Sequence, residues 1–211
     1  MPHVVASGLG KQYGRQWIVR HVQLDLPPGT HLAITGANGS GKSTLLKLLA
    51  GAAHPTQGTV QYVRHGKPLP QEAHYSYLSW AAPYVQPPLQ LQLAELYRLH
   101  FAFRPCRLLS PEVCLEALGL EPHTHKRLSE LSSGLLQRAQ LGLALFTEAP
   151  LLMLDEPTSF LDATTREMMM ALIHTHSQGR TLLLASNEPR EYEHLTQQVR
   201  IANGRVQPLE A

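Results

Sequence analysis

Two stretches of the chain carry residue types whose order implies chemistry. The first is Gly36-Ala37-Asn38-Gly39-Ser40-Gly41-Lys42-Ser43-Thr44, which follows the pattern G-x-x-x-x-G-K-[ST]. Glycines at these positions let the backbone curl until several N–H groups face one anion. A helix N-terminus behind the loop adds partial positive charge. Lys42 can reach the β- and γ-phosphates of a bound nucleotide, and Ser43 offers a hydroxyl to Mg²⁺. The second stretch is Leu151-Leu152-Met153-Leu154-Asp155-Glu156, an apolar strand that ends in two carboxylates. Carboxylates at the C-terminal edge of a strand sit where α/β proteins bind their ligands. Asp155 would hold Mg²⁺ through water, and Glu156 would polarise an attacking water as general base. Together they describe hydrolysis of a nucleoside triphosphate, with Mg²⁺ as the implied metal.

Such residues need a scaffold, and the hydrophobic patterning supplies one. His31-Leu32-Ala33-Ile34-Thr35 reads as a short apolar strand leading into the glycine loop, and residues 45–50 continue a helix that stops at Gly51. Residues 3–9 and 17–26 are β-leaning runs separated by Gly10 to Gly14, and residues 58–63 and 75–78 read as further strands. The middle third is helical in pattern. Residues 91–103 form one helix, Ser110-Pro111-Glu112 starts another that Gly119 ends, and Ser132 or Ser133 begins a third that runs to about Thr147. The last third alternates again, with strands at 151–154 and 181–185, a helix capped by Asp162 and ended at Gly179, and an Asn203-Gly204 hairpin turn. Alternating strands and helices at both ends imply a mainly parallel α/β sheet with a helical block inserted into it.

Composition closes off other classes. Lys plus Arg is 18 and Asp plus Glu is 16, a net charge of +2, which is too balanced for a polybasic nucleic-acid binder. Only two cysteines, Cys106 and Cys114, are present and no C-x-x-C pair, so neither a disulfide scaffold nor a zinc ribbon is indicated and both thiols are read as unreactive. The first residues lack a basic region followed by an apolar run, so no secretory leader is expected. Residues 73–94 contain no Asp, Glu, Lys or Arg, but Pro83, Pro87 and Pro88 would break a helix in lipid and Gln86, Gln90 and Gln92 would be costly there. That stretch is read as a loop entering a helix.

A third motif joins the first two. Leu131-Ser132-Ser133-Gly134-Leu135, followed by Gln137-Arg138, resembles the signature sequence of the ATP-binding cassette family, the nucleotide-binding subunits of ABC transporters. The resemblance runs from end to end. It implies an α/β P-loop NTPase fold with a mainly parallel sheet core, an N-terminal antiparallel β subdomain and an inserted helical subdomain. The single domain would comprise residues 1–211, with 1–81 and 149–211 as nucleotide-binding core and 82–148 as the helical part. By the same resemblance Tyr13 stacks on adenine, and Ser132 and Gly134 contact the γ-phosphate held by an opposing subunit. Ser159-Phe160-Leu161-Asp162 resembles the loop that meets that subunit. The cofactor-binding set is then Tyr13, Gly36, Asn38, Gly39, Ser40, Gly41, Lys42, Ser43, Thr44, Ser132 and Gly134. Glu156, Lys42 and Asn187 are the catalytic set.

The chain departs from the family pattern at four places. Ser133 stands for the signature's first glycine and Leu135 for its glutamine. Ser186-Asn187 stands where the family has a Ser-His pair, and an Asn amide donates a hydrogen bond to phosphate but neither titrates nor carries charge. No glutamine stands directly after the strand that precedes residues 79–86, so Gln86 is the candidate metal contact beside Ser43 and Asp155.

The function implied is that of an ATP-hydrolysing subunit that closes as a homodimer or heterodimer on ATP. The closure drives a separate integral membrane permease subunit from the cytoplasmic face, without nucleic acid. The apolar segment 83–96, with Tyr84, Leu89, Leu91 and Leu93, would accept a helix of that permease. The alternatives are a soluble ABC-type ATPase outside transport, and a nucleotide-binding regulator with little hydrolysis. Soluble relatives carry paired cassettes, long coiled-coil insertions or basic arms, none of which is in these 211 residues.

Overall fold

The computed structural model describes residues 1–195 and 197–209. In chain order the strands and helices are β1 (His3–Tyr13), β2 (Gln16–Leu26), β3 (His31–Thr35), α1 (Lys42–Leu49), β4 (Gln57–Arg64), β5 (Lys67–Pro68), α2 (His74–Tyr77) and β6 (Leu78–Ala81). There follow α3 (Leu93–Phe103), α4 (Pro111–Ala117), α5 (Ser133–Phe146), β7 (Leu151–Asp155), α6 (Ala163–Ser177), β8 (Thr181–Ala185), α7 (Pro189–Tyr192), β9 (Gln197–Ala202) and β10 (Arg205–Leu209). The chain divides into two compact units, one of Met1–Leu78, Ala149–Asp155 and Gly179–Ala211, the other of Ser79–Glu148 and Glu156–Gln178.

The first unit holds two sheets. One is antiparallel in the order β2-β1-β4-β5. The other runs β10-β9-β3-β8-β7, with β9, β3, β8 and β7 parallel and β10 antiparallel at the edge. β7 and β8 are buried along their whole length, and β3 is buried from Leu32 to Thr35. That burial is why they read as unbroken apolar runs rather than alternating ones. α1 packs against β7 and β8 through Leu45, Leu46, Leu48 and Leu49, all buried. The sheet therefore presents the end of β3, the start of α1 and the end of β7 along one C-terminal edge, where ligands of open α/β sheets bind.

Two local readings need correction. The glycine-rich stretch after Leu9 does not end the first strand: β1 continues to Tyr13, with register shifts against β2 between Ala6 and Gln12 that absorb the irregularity. Residues 75–77 are not strand but the end of α2, and β6 begins at Leu78. The reason is tertiary. His74 is buried and stacks on Tyr62 with ring centroids 3.9 Å apart, a contact made from a helical turn.

The second unit is built on α3, α4, α5 and α6. Leu93, Leu96 and Tyr97 of α3, Cys114 and Leu115 of α4, Ala139, Leu141, Leu145 and Phe146 of α5, and Met169 and Ile173 of α6 are buried. Each helix start has its cap. Glu95 accepts from the Gln92 N–H at 2.8 Å, Ser110 from Val113 at 3.3 Å, Ser132 from Leu135 at 3.3 Å and Asp162 from Thr165 at 2.9 Å. The Tyr97 hydroxyl donates to the Ala139 carbonyl at 2.7 Å and ties α3 to α5.

Candidate active site

The expected site residues fall into two groups, one in each unit. In the first unit, residues 36–41 make the turn from β3 to α1. Gly36 and Gly41 have φ of 142° and 110°, values that side-chained residues rarely adopt. A Cβ on Gly36 would stand 2.7 Å from the Ile201 carbonyl oxygen, so only glycine follows this path. Asn38 and Gly39 are exposed at the loop tip, and Ser43 and Thr44 are half-buried on the first turn of α1. α1 has Gly41 at its N-cap, no side-chain cap and no acidic residue in its first turn. Its first N–H groups and its dipole are thus left for an external anion.

Lys42 is 6% exposed, and its Nζ donates to the Gly36 carbonyl at 2.9 Å. A phosphate in the loop would offer this ammonium charged oxygens, a stronger acceptor than a neutral carbonyl. The Ser40 Oγ is buried without a hydrogen-bond partner among the described residues. Asn187, one residue after buried Ser186, is exposed, and its Nδ2 donates to Asn38 Oδ1 at 2.8 Å. The position where the family pattern has the histidine of its Ser-His pair is therefore joined by a side-chain bond to the glycine loop. Tyr13, 53% exposed at the end of β1, has Lys11 Nζ 4.9 Å from its ring centroid. The strand-neighbour relation of Lys11 and Tyr13 was available in the sequence, as residues two apart on one face.

Asp155 closes β7. It is 1% exposed, and neither carboxylate oxygen has a hydrogen-bond partner among the described residues. A buried unpaired carboxylate costs several kcal/mol, and a hard divalent cation bound through oxygen is the partner such a group fits. The chemistry of Asp155 together with the Ser43 hydroxyl therefore suits Mg²⁺. Gln86, the third proposed contact, is exposed in the loop after β6 and belongs to the second unit, whereas Ser43 and Asp155 belong to the first. The Val85 carbonyl beside Gln86 accepts from Gln140 Nε2 at 2.8 Å.

In the second unit, Ser132, Ser133 and Gly134 stand at the N-terminal end of α5. With Arg138, Phe160 and Asp162 they line a cavity of about 300 Å³. Asp162 accepts from both the N–H and the hydroxyl of Thr165, each at 2.9 Å, and these bonds hold its carboxyl below the usual range. Phe160 is 70% exposed with φ of 66°, so the loop turns an aromatic ring outward. Glu156 also lies in the left-handed region, with φ of 47°. That conformation costs a non-glycine residue on the order of 1–2 kcal/mol, and such outliers gather at working sites. Gln137, 4% exposed on α5, donates from Nε2 to the Pro157 carbonyl at 3.0 Å and lies 3.5 Å from the Glu156 carbonyl. Sequence reasoning used Gln137 only to recognise a motif. Its bond to the Glu156 turn depends on two segments some 20 residues apart meeting in space.

Comparison with known proteins places this geometry in a family. The family model described as ABC transporter matches residues 19–159. An aliphatic sulfonates import ATP-binding protein of Pseudomonas putida is 35% identical over 190 residues, covering 89% of this chain and 68% of that protein. A cytochrome c biogenesis ATP-binding export protein of Rhizobium etli is 33% identical over 193 residues, covering 89% of each. Among solved structures, the dimeric post-hydrolysis state of an ATP-binding cassette bound to ADP and Pi matches with a TM-score of 0.86 at 22% identity, over 98% of both chains. That last likeness concerns the fold, which is the α/β P-loop cassette. By its matched domain and by these relatives, the chain belongs to the ABC transporter family, as one of its ATP-binding ATPase subunits.

Proposed function

We propose that the chain works as a dimer of ATPase subunits on the cytoplasmic face of a membrane, bound to a separate integral membrane permease. The family pairs its ATPase subunits with permeases, and no helix among the described residues is long and apolar enough to cross a membrane. A homodimer is the simplest arrangement, because one chain offers both the phosphate loop with Glu156 and a signature segment. Exposed Tyr84, Val85 and Leu89, beside Pro87 and Pro88, form the surface proposed to receive the permease.

In the proposed cycle ATP lies on the phosphate loop of one protomer, its adenine against the free face of Tyr13. The N–H groups of residues 38–44 and the Lys42 ammonium hold the β- and γ-phosphates. Ser43 and Asp155 would hold Mg²⁺, Asp155 through water, with Gln86 a further contact; the ion when bound neutralises charge on the β- and γ-phosphate oxygens. Glu156 takes the proton of a water that attacks the γ-phosphorus, the bond to the β–γ bridging oxygen breaks, and ADP and phosphate result. Ser132 and Gly134 of the other protomer present the α5 N-terminus to the γ-phosphate. Asn187 contributes a neutral amide N–H there.

The observation that carries this reading is the uncapped α1 behind a glycine loop with Lys42 folded over it, followed in the chain by a buried, unpaired Asp155. The test is affinity purification of a Glu156→Gln variant from native membranes in mild detergent with Mg-ATP. A multi-span membrane protein recovered in near-equal amount supports the reading. Recovery of soluble material alone, with the chain outside the membrane fraction, sends it to the soluble-ATPase alternative.

A further inference from the structure

The N-terminal end of α5 touches the turn after Asp155 at two points. At Gly134 the Phe160 carbonyl comes so near that a Cβ would stand 3.1 Å from it. One helical turn further on, Gln137 donates to the Pro157 carbonyl at 3.0 Å from a fully enclosed position. Residues three apart lie on one face of a helix, so α5 meets the segment 156–160 along a single stripe. That segment contains two non-glycine residues in the left-handed region, Glu156 and Phe160. Neither conformation is favoured by its own residue, so the surroundings hold it. The Gln137 side-chain amide reaches this turn and spans the carbonyls of Glu156 and Pro157.

We propose that Gln137 is a positioning residue for hydrolysis: its amide fixes the backbone of Glu156 to the signature helix, so the orientation of the general base follows the position of α5. The inference rests on the reading of Glu156 as general base. It has a consequence in the dimer. α5 senses the γ-phosphate of the nucleotide held by the partner, whereas Glu156 serves the nucleotide on its own phosphate loop. Gln137 therefore links occupancy of one site to base alignment in the other. Leu135 and Ser133, the two positions at which the signature departs from the family pattern, take no part in this link, which runs through Gly134 and Gln137.

The experiment compares ATPase turnover, ATP affinity and melting temperature for the complete complex carrying Gln137→Met, Glu156→Gln or both. Methionine keeps the length of the side chain and removes the donor. The expected result is a turnover at least tenfold lower for Gln137→Met, with ATP affinity changed less than twofold. On top of Glu156→Gln the same substitution causes no further loss, since it acts through the residue already removed. If Gln137→Met does not fold, Gln137→Asn withdraws the same amide by one methylene and is expected to lower turnover in the same way. Turnover within twofold of the unsubstituted protein, while Glu156→Gln is inactive, overturns the proposal and leaves the base reading intact. An equal fold-loss in both backgrounds also overturns it, because Gln137 then acts elsewhere. Full activity of Glu156→Gln overturns the base reading and the proposal with it.

Discussion

Asn187 and Asn38 are hydrogen-bonded through their side-chain amides, Nδ2 to Oδ1 at 2.8 Å, across 149 residues of chain. Asn187 follows β8, and Asn38 belongs to the glycine loop between β3 and α1. The bond leaves Asn187 with a second N–H for an anion, and it ties position 187 to the loop before any ligand arrives. Asn187→His would replace this neutral donor by a titrating one with an ordinary pKa near 6.5. The expected outcome is a changed ATPase rate at saturating partner, together with a new dependence on pH between about 5.5 and 7.5. A rate and profile equal to those of the unsubstituted protein would mean that position 187 takes no part in hydrolysis.

Tyr13 has one face near the Lys11 ammonium and is exposed enough to offer the other to a base. Stacking on an aromatic ring contributes about 1–3 kcal/mol per base. Tyr13→Ala should therefore weaken ATP binding by about tenfold or more, whereas Tyr13→Phe, which keeps the ring, should stay within about twofold. Equilibrium titration with a fluorescent ATP analogue reads both. Equal affinity of all three proteins would remove Tyr13 from the site.

His100 gives the fold an acid-sensitive point away from the site. Burial, with Arg104 adding a smaller push, lowers its pKa from 6.5 to about 4, and its ring is bonded to the Thr147 hydroxyl at 2.8 Å. The native state holds it neutral, while the unfolded chain binds a proton at ordinary pKa. The unfolded state therefore binds more protons between these values, and stability falls as pH drops from about 6.5 toward 4. His100→Gln removes that linkage. Over a series from pH 7 to pH 4.5 its melting temperature should fall roughly 3–6 °C less than that of the unsubstituted chain. Parallel curves would contradict the assignment.

The two thiols differ in reach. Cys114 is buried and Cys106 half-buried, with sulfurs 3.3 Å apart, and burial pushes the Cys114 thiol up. Iodoacetamide at pH 8 should label Cys106 first and Cys114 only after unfolding, as read by peptide mass spectrometry. Equal labelling of the native protein would contradict the burial of Cys114.

Much of the scaffold was legible in the residues. The apolar run of β7, the Asn203-Gly204 hairpin and the caps Ser110 and Asp162 are local signals, each with its own physical cause, and the structure places them as read; of Ser132 and Ser133, both open as the start of α5, it makes Ser132 the cap. The signals failed where packing between distant segments overrides propensity. The stacking of His74 on Tyr62 turns an apparent strand into helix, and the register shifts in β1 carry a strand through glycines that looked like a break. The same division holds at the site. Motif spacing pointed to Lys42, Asp155 and Glu156, but the Asn38–Asn187 and Gln137–Pro157 bonds join residues about 20 to 150 positions apart. They become visible only when the elements are assembled.

The central claim is that Glu156, held in a strained turn directly after a metal-suited Asp155, is the group that turns nucleotide binding into hydrolysis. Its most direct test is phosphate release by the assembled complex with Mg-ATP, for the unsubstituted chain and for Glu156→Gln, with ATP binding measured alongside. The account predicts turnover by the first and a loss of at least a hundredfold by the second, with ATP still bound and the dimer retained. Undiminished phosphate release by Glu156→Gln would contradict it.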